Sequence, residues 1–361
     1  MYSVVDRGYQ NEDRLSISHG QEQKWALQGT PGHSACSACV KCTMAADNIP
    51  VVDFGACGPH WLSSTSKGTY GDEVLAVAEA VGAAFKEYGF VYLENHGIDQ
   101  ALIDKITSKS NDFFQLPVAR KELYKRRKEE GNNGWVSMKM EHIDPSKPGD
   151  LKEAYNYTLD SKLKFPADVP FLEEANAEFF TACKELALRV LKVLGIALKP
   201  EDGDYFANAH SFVGDTSKNQ TTLRCLYYPP LEGEPEPGQL RLGEHSDYGS
   251  ITLLFQDNVG GLEIQRKKSG RYIPATPMSG AVLINSGDLM ERWTMDQIPA
   301  PKHRVLIPEE EMKTRQIRRS VVFFCQPDDD VMITCLDGSN KYEPITSLNY
   351  LLQKLNMSYE Y

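Results

Sequence analysis

Arg241-Leu242-Gly243-Glu244-His245-Ser246-Asp247-Tyr248-Gly249-Ser250 sets an imidazole and a carboxylate two residues apart, directly ahead of the apolar run Ile251 to Phe255. In a strand, side chains at i and i+2 leave the same face, so His245 and Asp247 are predicted to converge on one metal ion. Two ligands do not hold a catalytic ion. Pro301-Lys302-His303-Arg304-Val305-Leu306-Ile307 offers a third, His303, at the head of another strand-like run.

Two histidines and one carboxylate on one side of an ion leave its other side open, the donor set by which a non-haem Fe(II) centre admits O2 and a co-substrate. Zinc accepts the same donors, but the hydrolases that use them typically carry HExxH on a helix, and that signature is absent here. Iron is the better match.

Downstream, Ile317-Arg318-Arg319-Ser320-Val321-Val322-Phe323-Phe324-Cys325 reads as a buried strand with a basic, hydroxylated mouth. Arg318 and Ser320 share a face, and a guanidinium forks onto a carboxylate through two parallel hydrogen bonds while a hydroxyl adds a third donor. Such a pair suits the far carboxylate of a dicarboxylic acid whose other end chelates the metal.

The order HxD, distant His, then RxS, preceded by Tyr227-Tyr228-Pro229-Pro230, resembles the Fe(II)/2-oxoglutarate-dependent dioxygenases of the isopenicillin-N-synthase-like family. The likeness runs from Ile49-Pro50-Val51-Val52-Asp53-Phe54 through Gly89 to Ile98 and on to the Arg318 strand. It implies a mainly β fold with flanking helices, a double-stranded β-helix (jelly-roll) core with an α/β N-terminal part. It further implies that His245, Asp247 and His303 hold Fe(II) and that Arg318, Ser320 and Tyr228 hold 2-oxoglutarate. With O2 as the third participant, such an enzyme oxidises a small organic molecule, by default hydroxylating it, and releases succinate and CO2. Many plant members read NYYP where this chain reads Leu226-Tyr227-Tyr228-Pro229, so a polar contact near the co-substrate is missing or replaced. By the same likeness, Asn156 and Tyr157 of the strand Glu153 to Tyr157, with Phe323, are candidate substrate contacts.

Two other readings stay open at this point. One is a same-fold Fe(II) oxidase without 2-oxoglutarate, in which Arg318 and Ser320 bind the substrate's own carboxylate, as in isopenicillin N synthase. The other is a non-catalytic protein that keeps the pocket for binding iron or 2-oxoglutarate.

A chain of 361 residues with 41% hydrophobic content can bury a sizeable core and reads as one catalytic domain. The net charge of -11 argues against nucleic-acid and anionic-membrane partners, both of which select positive patches, and for a small-molecule substrate; a monomer is expected. No apolar run is long enough to span a bilayer, and Asp6, Glu12, Asp13 and Glu22 disfavour a leader, so a cytoplasmic location is expected. Cys183, Cys225 and Cys325, inside apolar runs, read as small buried hydrophobes and not as a disulfide framework.

Four segments follow. Residues 1–46 lack core periodicity and read as a disordered extension, whose His33, Cys36, Cys39 and Cys42 could hold zinc only with a second paired half. Residues 47–210 form the N-terminal α/β part, with helices over 72–88, 99–116 (Asp99 as N-cap) and 171–198. Residues 211–335 form the jelly-roll core, and 336–361 carry a terminal helix over 346–358 that could act as a lid. His96, in the Asn95-His96-Gly97 turn, reads as a structural hydrogen-bonder. Asp288, in Gly287-Asp288, reads as a helix cap, Arg120 to Lys128 as a solvated face and Asp328-Asp329-Asp330 as a solvated turn.

A chain beginning at Met44 is expected to fold and turn over like the full chain, because the first sheet-forming run starts at Ile49. Lost activity in that truncation, or one equivalent of zinc found on Cys36, Cys39 and Cys42, would overturn this reading.

Overall fold

The computed structural model describes residues 48–61, 69–127, 132–141, 148–159, 167–231, 233–307 and 315–358. The extension over 1–46, its Cys36-Cys39-Cys42 cluster and a start at Met44 lie outside the described residues.

The N-terminal part alternates strand and helix. Strand β1 (Val51–Asp53) pairs parallel with β2 (Phe90–Glu94), and helix α1 (Asp72–Tyr88) connects them. Buried Val74, Val77, Val81, Ala84 and Phe85 recur at helical spacing along α1. Gly89 ends it with φ 67, its N–H donating to the Phe85 carbonyl at 2.8 Å. A Cβ on Gly89 would lie 2.7 Å from the Pro299 oxygen, so only glycine fits that turn. Helix α2 (Gln100–Phe114) is capped by Asp99, whose carboxylate accepts from the Ala101 N–H at 2.9 Å. Strands β3 (Gly134–Val136) and β4 (Glu153–Tyr157) precede the long helix α3 (Leu172–Leu198).

The remaining strands are β5 (Thr222–Tyr228), β6 (Leu242–His245), β7 (Ile251–Gln256), β8 (Leu262–Gln265), β9 (Tyr272–Pro274) and β10 (Ala281–Ser286). The short helix α4 (Asp288–Trp293) leads to β11 (His303–Val305), β12 (Arg318–Cys325), the hairpin β13 (Met332–Ile333) and β14 (Ile345–Thr346), and helix α5 (Ser347–Ser358). One sheet runs β1-β2-β10-β7-β12-β5-β4-β3 and a smaller one β6-β11-β8-β9. This is the expected jelly roll with flanking helices. Strands β1 to β4, from the 47–210 part, extend the same sheet as the core strands.

The large sheet is buried on both faces, and strand alternation sorts its side chains. Val321, Phe323 and Cys325 of β12, with Tyr155 and Tyr157 of β4, join α1, α2 and α3 in the main apolar cluster. Val322, Leu226, Tyr228 and Ala154 face inward in a second cluster, and Phe90, Tyr92 and Leu283 meet Leu262, Ile264 and Ile273 of the small sheet in a third. Tyr157 and Phe323, expected at the substrate, instead lie in the main apolar cluster and do not line the cavity. Both rings lie on Phe180 of α3, at 6.1 and 5.0 Å, because each strand turns its next residue away from the interior.

Two other expectations fail at one residue each, while the rest of Arg120 to Arg127 and of Asp328-Asp329-Asp330 is exposed or half-buried. Lys121 is 4% exposed and pairs with Glu153 at 2.6 Å, and Asp328 is 3% exposed, accepting from the Phe212 N–H and the Asn219 amide. Neither is a solvated surface group. Among the described residues no helix is long and apolar enough to cross a membrane, and Cys57, Cys183, Cys225, Cys325 and Cys335 are free and buried.

Phe323→Ala is expected to cost about 3–5 kcal/mol of stability, the usual penalty for emptying a buried phenylalanine site. Denaturant titration reads that loss; an unchanged midpoint with a raised KM for the substrate would return Phe323 to the active site.

Candidate active site

Strand β6 delivers His245 at its last residue, and β11 delivers His303 at its first, directly opposite in the antiparallel register. Their ring centroids are 4.2 Å apart. Asp247 lies beyond the end of β6, so the loop Ser246–Ser250, and not strand alternation, turns its carboxylate toward both rings. His245 Nε2 and His303 Nε2 each stand 3.8 Å from Asp247 Oδ1.

The loop has its own supports. The Asp288 N–H donates to the Asp247 carbonyl at 2.7 Å, and the Gly287 and Leu289 N–H groups donate to Ser250 and Gly249. A Cβ on Gly287 would lie 2.4 Å from the Gly249 oxygen, which explains the glycine ahead of α4. Ser250 Oγ meets the fully buried His210 at 2.9 Å. The segment bringing in His303 is likewise pinned, with Ser286 Oγ donating to Pro299 O at 2.6 Å and the Phe90 ring edge-on to His303 at 5.7 Å.

The donor chemistry fits a divalent ion. His245 Nδ1 and His303 Nδ1 donate to the Gly243 and Pro301 carbonyls at 2.9 and 3.2 Å, which leaves both Nε2 lone pairs for a metal. Burial, and then His303, push the His245 imidazole down to about 3, so it is neutral near pH 7. Burial opposes ionisation of Asp247, but His303, His245 and the Asn285 amide outweigh it and hold that carboxyl below its ordinary range. Asn285 Nδ2 donates to Asp247 Oδ2 at 2.7 Å and leaves Oδ1 to face the rings. A ligand distance of about 2.1 Å places two donors at most about twice that apart, and 3.8 Å falls within this span. Among the described residues this is the one cluster of its kind.

Further along the inward face of β12 lie Ser320 and Arg318. Arg318 is 1% exposed, and its Nε and Nη2 donate to Gly260 O and Gln256 Oε1. Its guanidinium stands over the Tyr228 ring at 4.8 Å. Arg318 Nη1 and Ser320 Oγ are buried with no hydrogen-bond partner, two donors aimed into the interior that a bound carboxylate would satisfy. Arg319 turns the other way, donating to Asn111 of α2.

A cavity of about 190 Å³ opens beside His245 and Asp247, lined in part by Leu226, Leu242, Phe324 and, from α5, Leu351 and Leu355. Leu226, at the departure from NYYP, is thus an apolar wall. Asn156 is buried on the inward side and donates to Asn132, which does line the cavity. Asp288 is not a cap: its Oδ2 accepts from Tyr350 Oη at 3.0 Å and Lys354 Nζ at 2.8 Å, both on α5. His96 is structural, its Nδ1 accepting from the Ile98 N–H, and burial pushes it down to about 4.

Sequence reasoning missed Asn285, although it is the polar residue in the apolar run Ala281 to Asn285 and so carried a signal. It also missed Glu141, Lys152, Arg224 and Gln326, which line the cavity; their scatter along the chain gave no local pattern.

Comparison with known proteins points one way. Residues 49–177 match the model for the non-haem dioxygenase in morphine synthesis N-terminal region, and residues 219–327 match that of the 2OG-Fe(II) oxygenase superfamily. A 2-oxoglutarate-Fe(II) type oxidoreductase of Metarhizium rileyi is 30% identical over 304 residues, 76% of this chain and 83% of that one. A 2-oxoglutarate-dependent dioxygenase of Aspergillus rugulosus is 28% identical over 324 residues, 81% of this chain and 96% of the other. A Neurospora crassa protein solved in complex with alpha-KG and thymine superimposes with a TM-score of 0.74 at 30% identity, covering 88% of this chain and 99% of that one.

Asn285→Ala is expected to weaken Fe(II) binding roughly 10–100-fold, the usual effect of removing a group that orients a ligand, and Asp247→Ala to abolish it. Anaerobic iron titration followed by metal analysis reads both; wild-type affinity in Asp247→Ala would dissolve the cluster as a metal site.

Proposed function

We propose a site assignment and a reaction outcome from one premise: the chain belongs to the 2-oxoglutarate–Fe(II) oxygenase superfamily and is an iron- and 2-oxoglutarate-dependent dioxygenase acting on a small molecule. In this reading His245, Asp247 and His303 hold the iron, and Arg318, Ser320 and Tyr228 hold 2-oxoglutarate. The observation that carries it is the pair of buried, unpartnered donors, Arg318 Nη1 and Ser320 Oγ, inside the same barrel as the triad.

When bound, the iron supplies O2 activation coupled to conversion of 2-oxoglutarate to succinate and CO2. The protein's part is position and exclusion of water. Neutral His245 offers its Nε2, Asn285 holds Asp247 in one rotamer, and Arg318 with Ser320 receives the far carboxylate where an unpaired charge would cost several kcal/mol. Phe324, Leu226 and Leu242 keep the reacting end of the substrate in apolar surroundings. Helix α5 acts as a lid, with Leu351 and Leu355 on the cavity and Asp288 as its anchor.

Hydroxylation is the proposed outcome, on a substrate smaller than a drug-sized ligand, since 190 Å³ falls below the roughly 300–1,000 Å³ of such pockets. The Neurospora crassa neighbour solved with thymine supports small ring compounds as the class. A monomer in the cytoplasm completes the reading, and the buried free thiols support its reducing setting.

Arg318→Ala should raise the KM for 2-oxoglutarate steeply and weaken its binding by roughly 2–5 kcal/mol, the cost of truncating one partner of a buried charge pair. Arg319→Ala, on the opposite face, should do much less. Succinate release titrated against 2-oxoglutarate decides; equal damage by the two substitutions would remove Arg318 from the co-substrate site.

A further inference from the structure

The prime substrate is left undefined by the iron and co-substrate sites, and the wall of the cavity bears on it, given the dioxygenase reading of that cavity. Besides its apolar side, the cavity is lined by Glu141, Lys152 and Arg224. These charges neutralise one another, with Arg224 Nε the one buried donor of the group left without a hydrogen-bond partner. Arg224 Nη2 donates to Glu141 Oε2 at 2.6 Å, and Lys152 Nζ lies 3.1 Å from the same oxygen and 2.6 Å from Asp150 Oδ2. All four side chains are at most 14% exposed. Two cations and two carboxylates make the group formally neutral.

The cluster is also fastened to the metal strand. Asp150 Oδ1 accepts from the Gly243 N–H at 2.9 Å, two residues ahead of His245. Rearranging these charges around a substrate would therefore disturb β6. The nearby cation Lys354 is held too, on Asp288 at 2.8 Å.

A substrate carboxylate placed here would meet Arg224 and Lys152 with Glu141 already between them. Both cations would have to abandon short, largely buried bonds, leaving Glu141 uncompensated in a site where a lone charge is strongly disfavoured. A substrate ammonium fares no better, because Glu141 already serves two cations. What the wall does offer is neutral. Gln326 lines the cavity, is 6% exposed, and its amide oxygen is buried with no hydrogen-bond partner. A ligand N–H or O–H would satisfy it.

We propose that the pocket is built for an uncharged molecule donating N–H or O–H hydrogen bonds, with Gln326 as an acceptor, and that Glu141 sets this choice by neutralising Arg224 and Lys152. Glu141 is the specificity determinant because it bridges both cavity cations through one oxygen. Its removal turns the wall into a receptor for anions.

The test uses the full chain loaded with Fe(II) and 2-oxoglutarate, and a matched pair of probes, 4-methylbenzamide and 4-methylbenzoate, alike in shape and different in charge. Binding is read as a shift in thermal midpoint, which needs no turnover, and coupling as succinate formed above the probe-free rate. The wild type should bind the benzamide at least about tenfold more tightly than the benzoate. Glu141→Gln should bind the benzoate about tenfold more tightly than the wild type does, and Gln326→Leu should weaken the benzamide by about the same factor while leaving the benzoate unmoved. The proposal is overturned if the wild type takes the benzoate as well as the benzamide, or takes neither. Should Glu141→Gln fail to fold, the wild-type ratio and Gln326→Leu still decide. Absence of 2-oxoglutarate binding to the Fe(II) protein is a separate result, and it sinks the dioxygenase reading instead.

Discussion

The direct cross-strand pairing of His303 with His245 is the contact on which the rest of the site depends. Residues opposed on antiparallel strands bring their side chains within reach of each other without any help from loops. Each imidazole then donates to a carbonyl two residues behind it, so the ring nitrogens facing one another are the unprotonated ones. Asp247 enters this frame from a loop, and loops drift unless held. The holding is done by backbone N–H groups of Gly287, Asp288 and Leu289, which occupy the carbonyls of Ser250, Asp247 and Gly249. The start of α4 is therefore part of the foundation of the candidate metal site, although none of its side chains joins the His245, Asp247 and His303 cluster.

Much of this was legible in the sequence. The HxD, His and RxS elements are brought to one interior, and helices and strands fall within a residue or two of where periodicity and caps put them. The error lay in parity. Strands of the large sheet are apolar on both faces, so hydrophobicity does not say which face looks inward. A marker did exist: with Arg318 and Ser320 inward, i+2 steps lead to Val322 and Phe324, and Phe323 must follow Arg319 to the helices. In β4, neighbouring Asn156 and Tyr157 could never both have faced the cavity. Asp247 was correctly grouped with His245 for a reason the structure does not use, since β6 stops before it. Lys121 and Asp328 were misjudged because a charge run says nothing about partners far away in sequence.

Two arginines in the barrel illustrate how a buried charge reveals its purpose. Arg318 is nearly inaccessible, bonded through Nε and Nη2, and left with Nη1 unpartnered next to an unpartnered serine hydroxyl. A folded chain tolerates that arrangement only where something else completes it, because a desolvated donor without an acceptor costs about 1–3 kcal/mol. Arg224 also keeps one unpartnered donor, Nε, but its charge is matched by a carboxylate at 2.6 Å that also takes a lysine. What separates the two is charge, because Glu141 already neutralises the Arg224 end of the cavity. In the proposed assignment, that asymmetry sends the far carboxylate of the dicarboxylic co-substrate to Arg318 and away from Arg224.

Asp288 joins the two ends of the site. Its backbone N–H holds the Asp247 carbonyl, while its side chain, 8% exposed, accepts from Tyr350 and Lys354 of the terminal helix. Two cation- or hydroxyl-donated bonds to one buried carboxylate are worth more than exposed pairs, because little water competes for it. Lifting α5 would strip both partners from Asp288 and expose Leu351 and Leu355 together, so the helix has reason to leave as a unit and not to fray residue by residue. The same motion would leave the carboxylate of Asp288 without its compensating charge, on the residue whose N–H holds the loop that carries Asp247. The cavity wall supplied by α5 and the set of the loop that carries Asp247 thus share one residue, Asp288.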